Sequence, residues 1–158
     1  MMLFSVFKLD EFERAMAQLK CYYFRYRELP PSENMPLLLA INLVSILGER
    51  QKETKVKLVE FNIEMQIARE LIEESEFLDY AENLYQSFID NSFSRLFILE
   101  EQPPCPLFNQ FTAELLISAR NNHADSIERS YKRLNLSELK TILHFNDLDE
   151  AHDFVSKR

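Results

Sequence analysis

The sequence predicts an all-α protein, and three observations carry that prediction. Gly48 is the only glycine among 158 residues, against an average usage of ~7%, so little is available to supply the positive φ that β-hairpins, bulges and phosphate-cradling loops require. The six prolines fall in two places, Pro30/Pro31/Pro36 and Pro103/Pro104/Pro106, which leaves long stretches free of the residue that breaks helices. Apolar residues recur at spacings of three and four along most of the chain.

The elements follow in order. Asp10 can cap a helix whose inward face carries Phe12, Met16, Leu19 and Tyr23, and Pro30 ends it. Ser32 is the N-cap candidate of the next helix, where residues 37–47 are apolar around most of the circumference; such a helix must be sandwiched between others. Leu58, Phe61, Met65, Ala68 and Ile72 then keep an unbroken three–four spacing while Glu60, Glu64, Arg69 and Glu70 fall elsewhere, which predicts a helix packed on one side. Residues 77–89 and 93–99 form an antiparallel hairpin about Asp90-Asn91-Ser92, whose side chains favour turns over helix interiors. Helical hairpins of this kind are the unit of α-solenoids, so residues 1–102 are expected to be a helical-repeat, TPR-like segment.

The segment Glu100-Glu101-Gln102-Pro103-Pro104-Cys105-Pro106 is the one good boundary, because X-Pro bonds exclude α geometry from the preceding residues. Residues 103–158 are expected to form a second module. It would hold a helix over 108–121, another over 124–133, a short extended stretch at Asn135-Leu136, a helix capped by Ser137 and running to Phe145, and a last helix over 147–155. The brief strand with its neighbouring helices matches the front half of a winged helix.

Composition narrows the function classes. Hydrophobic residues make up 46% and charged residues 28% of the chain, proportions of an ordinary folded protein. The formal charge is −8, with 26 acidic against 18 basic residues, which disfavours a nucleic-acid partner. The helix over 137–145, where a winged helix would read DNA, offers only Lys140 against Glu138, Asp147, Asp149 and Glu150. Cys21 and Cys105 are far apart, with no secretory h-region and cleavage site, which favours reduced thiols inside a cell. No run reaches the ~20 apolar residues of a membrane span.

Catalytic and metal chemistry finds little support. His123, His144 and His152 with Cys21 and Cys105 make no paired spacing of the kind that holds zinc. A Cys105–His123 nucleophile is open on spacing alone, yet Cys105 sits in a proline-rich linker with no adjacent helix N-terminus to lower its pKa. The acidic pairs Glu73-Glu74 and Glu100-Glu101 read as solvated helix ends, and the aromatic run Tyr22, Tyr23, Phe24 and Tyr26 as packing. No catalytic residue, cofactor, metal or small-molecule substrate is expected.

Residues 12–24, FERAMAQLKCYYF, closely resemble the helical-repeat region of the family of 26S proteasome non-ATPase regulatory subunit 8, shared with the eighth subunit of the COP9 signalosome and the k subunit of translation initiation factor 3. The likeness continues in collinear order. Residues 59–65 and 90–97 follow shorter family patterns. Residues 107–131 resemble its long helix, with an Arg-acid-acid turn at Arg120-Asn121-Asn122 and a closing helix at Ser130-Tyr131, and residues 136–158 resemble its strand and last two helices. The first of these motifs is the most specific. Glycines of the family pattern are absent at Asp90-Asn91 and near Asp125, and residues 49–57 look inserted. The family's N-terminal helical pairs, its wing strands and its C-terminal assembly helix have no counterpart, so a core fragment or a truncated paralogue is expected.

The resemblance implies a PCI-type winged-helix module without its wing strands, and a non-catalytic scaffold in the cytoplasm and nucleus. Its partners would be other subunits of the proteasome regulatory particle lid, met through winged-helix edges, with no nucleic acid and no membrane. A place in the COP9 signalosome or in translation initiation factor 3 is the alternative. The expected interface comprises Phe145, Leu148, Asp149 and Glu150 in the C-terminal module, and Phe4, Phe7 and Phe12 where further helices would stack.

Overall fold

The computed structural model describes residues 2–49 and 52–157, with side chains from residue 11 onward. Among the described residues there are helices and no strands, in the order α1 Met2–Arg25, α2 Met35–Gly48, α3 Thr54–Leu71, α4 Glu76–Ile89, α5 Phe93–Glu101, α6 Phe108–Ser130, α7 Leu136–Ile142 and α8 Leu148–Ser156.

α1 begins ahead of Asp10 and runs through it, because nothing between Leu3 and Asp10 interrupts a helix and a cap residue is not obliged to cap. All four predicted inward residues reach the core: Met16 is buried, and Phe12, Leu19 and Tyr23 pack against it. α2 starts after a turn in which the Ser32 carbonyl accepts the Met35 N–H at 3.0 Å. Pro36 sits in its first turn, where the missing N–H costs nothing. The helix is the hub of the fold. It contacts α1, α3, α4 and α6, and eleven of its residues from Met35 to Gly48 are buried, which satisfies an apolar surface that extends all round.

The single glycine has a steric reason. A Cβ on Gly48 would lie 3.3 Å from both the Glu114 Cβ and the Leu115 backbone nitrogen, so the end of α2 closes directly onto α6. Behind it, Lys57 at the start of α3 is buried and points its Nζ at the Leu47 carbonyl and the Ser118 hydroxyl, 3.4 Å from each. An ammonium there complements the carbonyl end of α2. Burial nevertheless lowers its pKa, Lys52 lowers it further, and Glu49 acts in the opposite sense.

α3 differs from the one-sided helix its spacing suggested. Phe61 and Ala68 are buried and Leu58, Met65 and Ile72 pack on the core as expected, but Val56, Val59 and Ile63 form a second apolar stripe that is 50–60% exposed. The carboxylates beside that stripe are engaged: Glu60 pairs with Lys52 at 2.9 Å and Glu64 with Lys20 of α1 at 2.6 Å. Arg69 ties α3 to α4 through Asp79 and Glu82.

The α4–α5 hairpin turns where expected. Asn91 adopts φ 51°, the left-handed conformation that asparagine tolerates better than most residues, and so stands in for the glycine of the family pattern. The Tyr80 hydroxyl donates to the Leu99 carbonyl at 2.8 Å across the hairpin; burial, with Glu100 nearby, raises its pKa to about 12.

Three expectations for the C-terminal module fail. The helices predicted over 108–121 and 124–133 are one continuous helix, α6, since Arg120, Asn121 and Asn122 include neither proline nor glycine and the i→i−4 ladder runs through them. The turn carried over from the family pattern is therefore absent. The short strand at Asn135-Leu136 is absent too: Asn135 is extended only because it caps α7, and the Glu138 carboxylate accepts the Asn135 N–H at 3.3 Å in a reciprocal capping box. α7 stops at Ile142, short of Phe145, as His144 turns left-handed at φ 52°. Asp147 then caps α8, accepting the Glu150 N–H at 2.8 Å, while the Glu150 carboxylate accepts the Asn146 N–H at 3.2 Å.

Two clusters of buried side chains result. The larger draws on α1 to α6 and is centred on α2. The smaller contains Ala124, Ile127 and Leu143, flanked by Leu134, Leu139, Ile142, Phe145 and Phe154. α6 supplies both, its first half to one and its second half to the other.

Candidate interaction surface

The residues expected to meet partners lie in two separate places. Phe4 and Phe7 are on α1, but their side chains lie outside the described residues. Phe12 is half-buried with its ring 5.1 Å from that of Phe111 on α6, so it serves the chain's own packing. Phe145 is also half-buried: its ring is tilted against Phe154 at 5.3 Å, and the Arg120 guanidinium lies 4.9 Å from its centroid. Leu148 is 48% exposed, and Asp149 and Glu150 are exposed beside it on the first turn of α8.

These residues play different parts. Phe145 anchors the turn from within. Glu150 closes the N-terminus of α8 through its hydrogen bond to Asn146. Leu148 and Asp149 present outward, and Val155, two turns further along and 51% exposed, lies on the same side of α8 as Leu148. The inner side of the helix buries Ala151 and packs Phe154. α8 is thus amphipathic, its one apolar stripe running from Phe154 and the buried Ala151 to an exposed rim at Leu148 and Val155.

Other features escaped the sequence reading. Cys21, also expected to pack, is exposed on the side of α1 away from Met16 and Leu19, and Tyr22, expected to pack, is exposed although it follows Leu19 by three residues. Tyr23 and Phe24 are half-buried, and burial raises the pKa of Tyr23. Tyr22 and Tyr26 stack with centroids 5.9 Å apart at the mouth of an open groove of about 400 Å³ that Pro30, Pro31, Met35 and Leu71 also line. The signal for the exposed α3 stripe was present as Val56, Val59 and Ile63 at spacings of three and four, but the stronger stripe on the opposite side of the helix masked it.

Among the described residues no three His, Cys, Asp or Glu side chains gather as a metal site would require. Cys105 packs against the larger core, and the His123 ring stacks on Phe93 at 5.9 Å. No helix among the described residues is long and apolar enough to cross a membrane.

Comparison with known proteins gives this arrangement a family. The chain is 26% identical over 148 residues to 26S proteasome non-ATPase regulatory subunit 8 homolog A of Arabidopsis thaliana, covering 93% of this chain and 53% of that protein. It is 28% identical over 160 residues to 26S proteasome regulatory subunit RPN12 of Saccharomyces cerevisiae, covering 98% and 56%. It is 23% identical over 149 residues to 26S proteasome non-ATPase regulatory subunit 8 of Caenorhabditis elegans, covering 94% and 57%. The chain spans about half the length of the curated relatives it matches. The family model matches residues 33–158, from the start of α2 through α8, and by that match over most of its length the chain belongs to the CSN8/PSMD8/EIF3K family.

Proposed function

We propose that this chain is a non-catalytic scaffold subunit of the proteasome regulatory particle lid, contributing to ubiquitin-dependent protein degradation through contacts with other lid subunits. The observation that carries this reading is the collinear match to relatives named as 26S proteasome regulatory subunits, over 93% or more of the chain in three organisms. In this reading residues 1–102 form the helical-repeat segment and residues 103–158 the PCI-type winged-helix module. Partners meet the edge of that module at Leu148 and Asp149, with Phe145 and Glu150 setting its shape; Phe4 and Phe7 on α1 are the proposed contacts for further helices, next to Phe12 in the chain's own packing. The chain would work in the cytoplasm and nucleus.

The acidic, outward first turn of α8 supports a protein partner over nucleic acid, since Asp149 and Glu150 repel phosphate. An exposed leucine ringed by carboxylates suits a basic-rimmed apolar patch on another subunit. Affinity purification of the full chain with identification of the bound proteins tests the reading. Recovery of proteasome regulatory subunits is expected. Recovery of COP9 signalosome or translation initiation factor 3 subunits in their place would move the chain to a related assembly of the same family, and recovery of none of the three would overturn the reading.

A further inference from the structure

The turn between α7 and α8 is held to the rest of the molecule in an unusual way. Arg120, half-buried in the middle of α6, donates from Nε to the Leu143 carbonyl at 3.2 Å and from a terminal nitrogen to the His144 carbonyl at 3.1 Å. Those acceptors lie at the C-terminal end of α7, where carbonyls lack helical partners and a cation is favoured. The same guanidinium lies over the ring of Phe145 at 4.9 Å and that of Phe93, at the start of α5, at 5.9 Å. His144 completes the junction: its ring lies 5.0 Å from Phe97 and 5.7 Å from Phe93, and its Nε2 is 3.2 Å from the Ser94 hydroxyl.

We propose that Arg120 is a latch that fixes the orientation of the α7–α8 pair on α5 and α6. The case rests on what each kind of contact can specify. α7 and α8 bring little apolar surface inside; with the turn between them they contribute only Leu143 and Ala151 to the fully buried set. Hydrophobic contact of that size holds two bodies together without fixing the angle between them, because it is non-directional. A planar guanidinium that donates to two successive carbonyls does fix an angle. It can do so only while His144 keeps its left-handed conformation and turns its carbonyl toward α6. The carboxylates of Glu100 on α5 and Glu150 on α8 favour the charged guanidinium against the cost of its burial, so the latch joins three elements electrostatically as well. Without it the pair would stay tethered through Ala124, Ile127 and Leu143 but rock on that contact. This holds whatever α8 docks on.

Amide hydrogen exchange on the full chain tests the proposal with Arg120→Met, which keeps the aliphatic bulk and removes the donors. Protection in residues 136–156 is expected to fall roughly ten- to hundredfold, the scale of losing hydrogen bonds to a charged group, while α2 and α4 keep theirs. Arg120→Lys should fall between, since an ammonium lacks the planar fork that spans both carbonyls. Unchanged protection in 136–156, or an equal loss in α2 and α4, would overturn the latch. Should Arg120→Met fail to fold, Arg120→Lys is read by the same two outcomes.

Discussion

The α2-centred core and the C-terminal helical pair are held by different physics. In the first, a helix buried on all sides is wrapped by four others, and stability comes from close-packed apolar volume: Phe108, for example, is fully buried against the rings of Phe77 and Tyr80. In the second, three small or medium side chains form the buried centre, and caps, a capping box and the Arg120 junction supply the definition. A large core resists perturbation at any one polar group and suffers when volume is removed. A small one tolerates volume loss better, because its shell can collapse, and suffers when directional contacts are cut.

Removing volume from the larger core should separate the two regions most strongly. Phe108→Ala should cost about 3–5 kcal/mol, read as a lower urea midpoint, and Leu143→Ala in the smaller cluster only about 2 kcal/mol, near the low end for such truncations. Equal losses would show that the two regions are packed alike. Gly48→Val should cost about 1–3 kcal/mol by overpacking, because its side chain meets the Leu115 backbone at van der Waals limits; that loss should appear in the same transition as Phe108→Ala.

How much of this was legible in the sequence divides along the same line. The larger core was readable, as Phe12, Met16, Leu19 and Tyr23 on α1, and Phe61 and Ala68 on α3, follow from apolar periodicity, which burial enforces. The hairpin at Asn91 was readable from turn chemistry. What periodicity does not encode was lost. The placement of the α7–α8 turn on α6 depends on the Arg120 guanidinium reaching carbonyls 23 and 24 residues away, a contact without local signature. Lys57 in the core looks like any exposed lysine until the end of α2 is placed over it. The expected interface named residues of the α8 turn, but the sequence could not tell Phe145 and Glu150, occupied within the chain, from the exposed Leu148 and Asp149.

Smaller effects sharpen the contrast between the regions. Burial holds the pKa of Lys57 below its ordinary 10.5. Between that lowered value and 10.5 the unfolded chain binds the extra proton, so stability should rise with pH across the window; below it both states are charged and the penalty is constant. Lys57→Met should match or exceed the parent in stability at neutral pH and flatten the rise, as followed by chemical denaturation from pH 7 to 10.5. In the C-terminal pair, Asp147→Ala removes the α8 cap and should cost about 1 kcal/mol, visible as exchange confined to α8 with no change in α2.

We propose that docking into a proteasome regulatory assembly runs through the outward face of α8. It is tested most directly by co-purification of regulatory-particle subunits with the parent chain and with Leu148→Asp/Asp149→Lys, two substitutions at exposed positions that leave the Asp147 cap and the Arg120 junction in place. The parent should recover those subunits, and the double variant should lose most of them while keeping its thermal transition. Equal recovery by both chains, or none by the parent, would contradict the claim.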